Sequence, residues 1–450
     1  MMRNKRFSLK KYTTLFILST FSMTQAHAIG LLQAYQEALK HDALYLAAQA
    51  DNQAGQQYSA IGRSGLLPSL QYSYSTSKNK GESIAPDFFG KPKLSDVDYR
   101  STSKGFNLRQ ALYSRDAFAR FQQGVVQTKL SNAQFDSRSR DLMVRVVSAY
   151  SDAKYAEDQL SLYTAQRDAY AEQMQVNRRM FEKGEGTRTD MLETQAKLDV
   201  ANAMVIEFSD NAVIAKNTLA SMIGMEVNSL DGLSNQFQPL SLGLDHFDEW
   251  KEVALNENAD IAASKLSLEA AELEIKKSLA GHFPRLDLNA SYNSGLSETL
   301  TTRNQDNHIR SVGVQLVIPI YSGGYTNAVS KQAVANRDRA KAELEATINK
   351  VTLELRKQFG AMKNNVLKIE ALQKSVESSS LLVEATKQSI QGGVRINADL
   401  LNAQQQLVAT KRDLASARYS YLISYLRLRV AAGNLHESDL RTVAAYFVSQ

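Results

Sequence analysis

Ile390-Gln-Gly-Gly-Val-Arg-Ile-Asn-Ala-Asp-Leu-Leu-Asn-Ala-Gln404 and Phe181-Glu-Lys-Gly-Glu-Gly-Thr-Arg-Thr-Asp-Met-Leu-Glu-Thr-Gln195 are two copies of one segment. A shift of 209 positions superposes Gly184 on Gly393, Asp190 on Asp399, Leu192 on Leu401 and Gln195 on Gln404. Each copy lies between a very long helical pattern and a shorter one. Gly184, Gly186, Gly392 and Gly393 break the first helix, and each Asp is placed to N-cap the second. The segment therefore reads as a tight helix-to-helix turn, made twice. Any function has to use two hairpin tips carried on long helices.

Working outward, the first 28 residues read as a secretory leader. Arg3, Lys5, Arg6, Lys10 and Lys11 precede a short apolar run, and Ala26-His27-Ala28 offers a cleavage site. The 450 residues include no Cys, which excludes a thiol-linked lipoprotein anchor, disulfides and thiol chemistry. The leader's five Lys/Arg account for all but one of the formal charge of +6. A near-neutral remainder gives no footprint for nucleic acid. No later stretch is apolar for 18 residues, so entry into a membrane has to be by β-strands.

From Leu31 to about Leu66 the pattern is helical, and Gly65 and Pro68 stop it. Leu70, Tyr72 and Tyr74 then alternate with Gln71, Ser73 and Ser75, as in a strand with one apolar and one wet face. A loop containing Gly81, Pro86, Gly90, Pro92 and Gly105 is expected before a second strand with Phe106, Leu108 and Leu112. About Arg115 to Phe181 is a long helix whose seam (Leu142, Val146, Ala149, Ala153, Ala156, Leu160, Tyr163) has heptad spacing. At 1.5 Å per residue it is roughly 100 Å long. Arg188 to Ile223 is half that length.

After an irregular segment the plan repeats. Ala38, Leu39, Gly65, Pro68 and Leu70 reappear 216 positions later as Ala254, Leu255, Gly281, Pro284 and Leu286. Leu286 and Leu288 open the third strand, and Val312, Val314 and Leu316 mark the fourth. A second long helix runs from about Tyr325 to Ile390 and a half-length one from about Asp399 to Ala432. The expected organisation is 1–28 leader, 29–223 first repeat, 224–247 irregular mid-height segment, 248–433 second repeat and 434–450 C-terminal segment.

Half-length helices have to stack to match the long ones. The expected stacks set Arg188–Ile223 against the helix from Phe247 to Ala280, and the last helix against Leu31–Leu66. Four amphipathic strands cannot close a barrel alone, because unpaired edges cannot face lipid. Two copies give eight strands and a filled interior, whereas three give twelve and an open bore. The fold class is thus mostly α with a membrane β part, a tandem-repeat protomer of a trimeric 12-stranded β-barrel on a long α-helical coiled-coil barrel. Leu70, Tyr72, Leu286, Leu288, Val314 and Leu316 are its expected lipid-facing residues.

The twinned G-x5-D tips and the run Arg412-Asp-Leu-Ala-Ser-Ala-Arg-Tyr-Ser-Tyr-Leu-Ile-Ser-Tyr-Leu426 resemble the TolC family of outer-membrane channel proteins, along the whole mature chain. The resemblance implies a homotrimeric export duct in a Gram-negative outer membrane, passively conducting proteins of a type I secretion system, small molecules in efflux, or both. It further implies a periplasmic adaptor and an inner-membrane ABC exporter or proton-driven pump as partners. It also implies a gate, with Asp399 and Arg395 of the second tip facing Thr189 and Asp190 of the first. Asn402 stands where a second acidic ring is expected and Ile390 where an aromatic often sits, which implies a looser lock.

No HExxH, P-loop, G-x-G-x-x-G or G-x-S-x-G motif occurs, and the six histidines lack ligand spacing. No cofactor, metal or catalytic residue is therefore expected. The competing reading is a trimeric coiled-coil surface fibre or adhesin, which would share the leader and the heptads. Neither the leader nor the heptads name a cargo.

Overall fold

A computed structural model describes residues 28–234, 237–240, 243–244, 246–297 and 305–448. The expected leader lies outside the described residues, apart from Ala28. The N-terminal helical pattern is three helices, α1 (Leu31–His41), α2 (Ala43–Gly55) and α3 (Gln57–Ser64), rather than the one expected. Asp42 causes the first break by turning extended and capping α2 through Tyr45 N–H at 2.7 Å. Strands β1 (Ser69–Pro86) and β2 (Pro92–Tyr113) follow, then α4 (Arg115–Glu182) and α5 (Arg188–Ile223) around the first tip.

The expected loop between the first two strands is mostly strand. Only residues 87–91 turn, and Pro86 lies opposite Pro92 where the ladder ends, as befits residues without an N–H. Gly105 is buried in mid-strand, where a Cβ would strike the Asn293 side chain and the Tyr292 carbonyl of the next strand. Alternation fails as a strand signal here because residues 77–83 carry no apolar side chain on either face.

Two-residue β3 (Gly232–Leu233) lies in the irregular segment, followed by α6 (Phe247–Glu257) and α7 (Ala259–Leu279). Then come β4 (Arg285–Ser297), β5 (Gln305–Val317), α8 (Tyr325–Gln391) and α9 (Asn397–Ala432) around the second tip, α10 (Glu437–Ala444) and β6 (Phe447–Val448). The main sheet is antiparallel in the order β1-β2-β4-β5, so β1 and β5 are open edges. The expected heptad seams are inside: Leu142, Val146, Ala153, Leu355, Met362 and Ile369 are all buried.

The stacking of the half-length helices differs from expectation. Gly224, at the end of α5, sits against the His41 ring at the α1–α2 joint. Gly433, at the end of α9, sits against Glu257 and Asn258 at the α6–α7 joint. Asn258 also donates to the Val430 and Ala431 carbonyls that end α9. Each repeat therefore completes its own column: α5 continues into α1–α3, and α9 into α6–α7. Lengths could not decide this, because α1–α3 and α6–α7 each hold about 32 residues, roughly 48 Å, against about 54 Å for either lower helix.

The segment after α5 is consequently a crossover between columns, and it builds a belt. β3 pairs with β6, Ile29 bridges Leu230, and Tyr421 Oη accepts from Leu240 N–H. Trp250, Tyr150, Tyr421, Leu219, Leu422 and Leu440 are almost wholly buried there. Burying each such side chain contributes roughly 1.5–3 kcal/mol. The core is at mid-height, between the joints.

Candidate functional site at the helical tips

Both tips end their long helix in the same way. Gly184 has φ +75° and Gly393 φ +73°. Around them Glu185 N–H reaches the Met180 carbonyl at 2.8 Å and Gly184 N–H the Phe181 carbonyl at 3.0 Å. In the second tip Val394 N–H reaches Ser389 and Gly393 N–H reaches Ile390, each at 3.0 Å. This is the Schellman closure, and it requires the left-handed residue at these two positions. Gly186 has a different reason, since a Cβ there would lie 3.0 Å from the Met180 Cβ. Gly392 has φ −82° and no such crowding, so neither constraint applies to it.

The helix starts differ between the tips, and the N-cap expectation for the two aspartates is corrected in both. Thr187 is the first N-cap, accepting from Asp190 N–H at 3.1 Å. Asp190 lies three residues on, and its carboxylate accepts from Thr187 Oγ1 at 2.6 Å and from Thr187 N–H at 3.4 Å. Threonine and aspartate thus cap reciprocally. The second N-cap is Ile396, which has no side-chain acceptor. Asp399 is left without that partner, and its carboxylate lies 3.9 Å from Arg395 Nη1, both side chains being substantially exposed. Within one protomer Arg395 therefore faces its own Asp399, not Asp190 or Thr189. Thr189 is exposed on the first turn of α5 and Asn402 on the second turn of α9.

A buried polar cluster, invisible in the sequence patterns, binds the two hairpins together. Thr194 is fully buried, and Asn177 and Asn397 nearly so. Asn177 donates to Thr194 Oγ1 at 2.8 Å and Asn397 to the same oxygen at 3.0 Å, while Thr194 donates to the Asp190 carbonyl at 2.8 Å. Gln173 donates to both Asn177 and Asn397 Oδ1 atoms, at 2.9 and 3.0 Å. Tyr170, Ala201 and Leu401 pack beside it. The cluster anchors the root of the second tip while its turn, from Gly392 to Ile396, remains exposed. Asn397 occupies the register position of Arg188, so the 209-residue repeat conceals this contact. Among the described residues no group of His, Asp or Glu is arranged to hold a metal ion.

The family model described as "Outer membrane efflux protein" matches residues 34–225 and 250–434. "Alkaline protease secretion protein AprF" of Pseudomonas aeruginosa is 39% identical over 426 residues, covering 94% of this chain and 88% of its own. "Proteases secretion protein PrtF" of Dickeya chrysanthemi is 38% identical over 446 residues, with 98% and 96% covered. Among solved structures, the CmeC outer membrane channel of Campylobacter jejuni matches with a TM-score of 0.78 at 17% identity, over 99% of this chain and 98% of that one. The fibre or adhesin alternative has no support among these relatives, which are named for secretion and channels and not for catalysis. With both repeats matched and two relatives aligned along almost its full length, the chain belongs to the outer membrane efflux protein family.

Proposed function

We propose that the outer-membrane channel formed by this chain is the exit duct of a machine that exports proteins, proteases among them. The observation that carries the cargo is the pair of relatives named for protease secretion, 39% and 38% identical. The outer membrane protein TolC of Vibrio cholerae is more distant, at 27%. Open edges at β1 and β5 support a closed trimer, since neither edge can be left to lipid. A periplasmic adaptor and an inner-membrane ABC exporter complete the machine, and the duct itself is passive.

The lipid-facing side is that of Leu70, Tyr72, Leu286, Leu288, Val314 and Leu316. Leu286 pairs with Leu316 and Leu288 with Val314, so these side chains share one face. The opposite face, with Ser73, Asn107, Asn289 and Gln315, lines the bore. Asp287 on that face is buried between Arg109 at 3.1 Å and Arg285 at 2.9 Å.

The second tip is the moving part of the gate. Its turn is exposed, its helix start lacks a side-chain cap, and the Arg395–Asp399 separation is too long for a hydrogen bond. Arg395 thereby keeps donors for the Thr189–Asp190 corner of a neighbouring protomer, and three Asp399 carboxylates ring the entrance. Deleting the chain and comparing the culture-supernatant proteome with small-molecule susceptibility tests the cargo. Loss of secreted protease with unchanged susceptibility is expected. The reverse pattern would contradict protein export.

A further inference from the structure

The sheet register orders the outward face into rows, and the rows change character toward the hairpin turns. Leu70 lies opposite Leu108, Leu108 opposite Ala290, and Ala290 opposite Val312, making an apolar row. The next row outward is Tyr72, Phe106, Tyr292 and Arg310, with the Tyr72 and Phe106 rings 5.0 Å apart. Beyond it come Tyr74, Lys104, Ser294 and His308, and two rows further Lys78 lies directly opposite Arg100. An apolar band bounded by aromatics is the signature of a membrane barrel's interface. Because the helices leave the opposite end of the sheet, these rows lie on the extracellular side, at the headgroups of the outer leaflet.

From the aromatic row outward to Lys80, the Lys and Arg side chains are all on the outward face. Asp98 lies 3.7 Å from Lys78 and 3.2 Å from Lys80, and Asp306 lies 3.4 Å from His308. Nearer the turn, Glu82 faces Asp96. Among the described residues no carboxylate comes within ion-pair distance of Arg100, Lys104 or Arg310. Arg310 instead lies over the Tyr292 ring, 5.7 Å from its centre. All three are exposed. The inner face of the same rows has Ser75, Ser77, Asn79, Ser101, Ser103 and Asn293, with no Lys or Arg.

The difference in pairing between the two faces decides between a solvated surface and a site. On the bore face Arg109 and Arg285 both pair with Asp287, whereas on the outward face, among the described residues, Arg100, Lys104 and Arg310 have no carboxylate partner. We propose that Arg100, Lys104 and Arg310 of the outward face form a binding surface for the phosphate groups of the outer leaflet's phosphorylated glycolipid, with the Tyr72–Phe106–Tyr292 row, which Arg310 completes, contacting its acyl chains. The inference rests on the reading of this sheet as an outer-membrane barrel. Basic clusters at a membrane surface recognise anionic headgroups on the same terms.

The test uses purified trimers in mixed micelles with three probes: bisphosphorylated lipid A, its dephosphorylated form, and inorganic phosphate. Native mass spectrometry reads the bound lipid. Wild-type protein is expected to favour the bisphosphorylated form by about tenfold or more, and equimolar inorganic phosphate should not displace it. Replacing Arg100, Lys104 and Arg310 by Gln should weaken binding by about fivefold per charge, and about a hundredfold for all three. Equal binding of the two lipids by wild-type protein would overturn the site, even if the triple variant failed to assemble. Full retention by an assembled triple variant, or displacement by free phosphate, would overturn it too. Conductance in planar bilayers separates the two levels: a non-conducting wild-type trimer contradicts the channel, while unchanged conductance with lost lipid preference supports the site.

Discussion

The two repeats share a plan and complete it with different chemistry, at the joints and again at the tips. At the first joint Asp42 caps α2, and because a carboxylate only accepts, its oxygens also require a donor. Arg145 supplies it through two hydrogen bonds of 2.8 and 2.9 Å. At the second joint, Asn258 has both a donor and an acceptor. Its Oδ1 caps α7 through the Asp260 and Ile261 N–H groups at 3.0 and 3.1 Å, while its Nδ2 reaches the last carbonyls of α9. One amide splices two helix ends. At the tips the first repeat closes its own cap, while the second leaves Asp399 and Arg395 uncommitted. The first hairpin thus closes a reciprocal cap, and the second is anchored at its root beneath an exposed turn.

The largest expected effect comes from exchanging the joint chemistries. Asn258→Asp sets a buried carboxylate against the Val430 and Ala431 carbonyls, and about 3 kcal/mol or more of stability should be lost. Asp42→Asn keeps the cap on Tyr45 but releases Arg145, which is partly exposed, and about 1–2 kcal/mol is expected. Chemical denaturation of both variants checks the order. Equal losses would mean that the joints are interchangeable.

Acid should separate the joints as well. The Arg145 hydrogen bonds hold the Asp42 carboxyl below its ordinary value of 3.8. A depressed folded value means stability present above the unfolded pKa and lost as pH falls through the folded one. The first joint should therefore weaken only below about pH 4, and Asp42→Asn should remove that part of the acid response. Hydrogen exchange at the start of α2, against that at the start of α7, whose cap Asn258 does not titrate, reads it directly. An acid response at α7 equal to that at α2 would break the distinction.

Capping gives a smaller effect with opposite signs. Thr187→Ala should lower stability by about 1 kcal/mol, and Ile396→Thr should raise it by up to a similar amount. If Ile396→Thr also lowers channel opening, the missing cap is part of the gate. A loss of stability in Ile396→Thr would show that the second tip was already satisfied.

Much of this architecture is legible in the chain. Helices α4, α5 and α8 start and stop within a residue or two of where glycines, prolines and heptad spacing set them. The Schellman turns follow from the glycines of the repeated segment. Thr187-x-x-Asp190 is a reciprocal-cap signature, in which the Asp is the third residue of the helix and the Thr is its N-cap. Column pairing was hidden because two pairs of half-helices have matching lengths, and only the contacts of Gly224, Asn258 and Gly433 choose between them. The Asn177–Thr194–Asn397 cluster has no local signal at all. Its members come from three helices, and isolated Asn and Thr residues read as solvated.

The most direct test of a gated duct with a movable second tip is single-channel recording of the trimer in planar bilayers. Wild-type protein should conduct weakly, and Arg395→Ser should raise its conductance. Asp399→Ala should mainly relieve block by multivalent cations, since it removes the ring of three carboxylates. Thr194→Ala, at the buried root, should alter opening less than Arg395→Ser does. Unchanged conductance in Arg395→Ser together with unchanged block in Asp399→Ala would contradict the gate, and would leave these residues as parts of an ordinary turn.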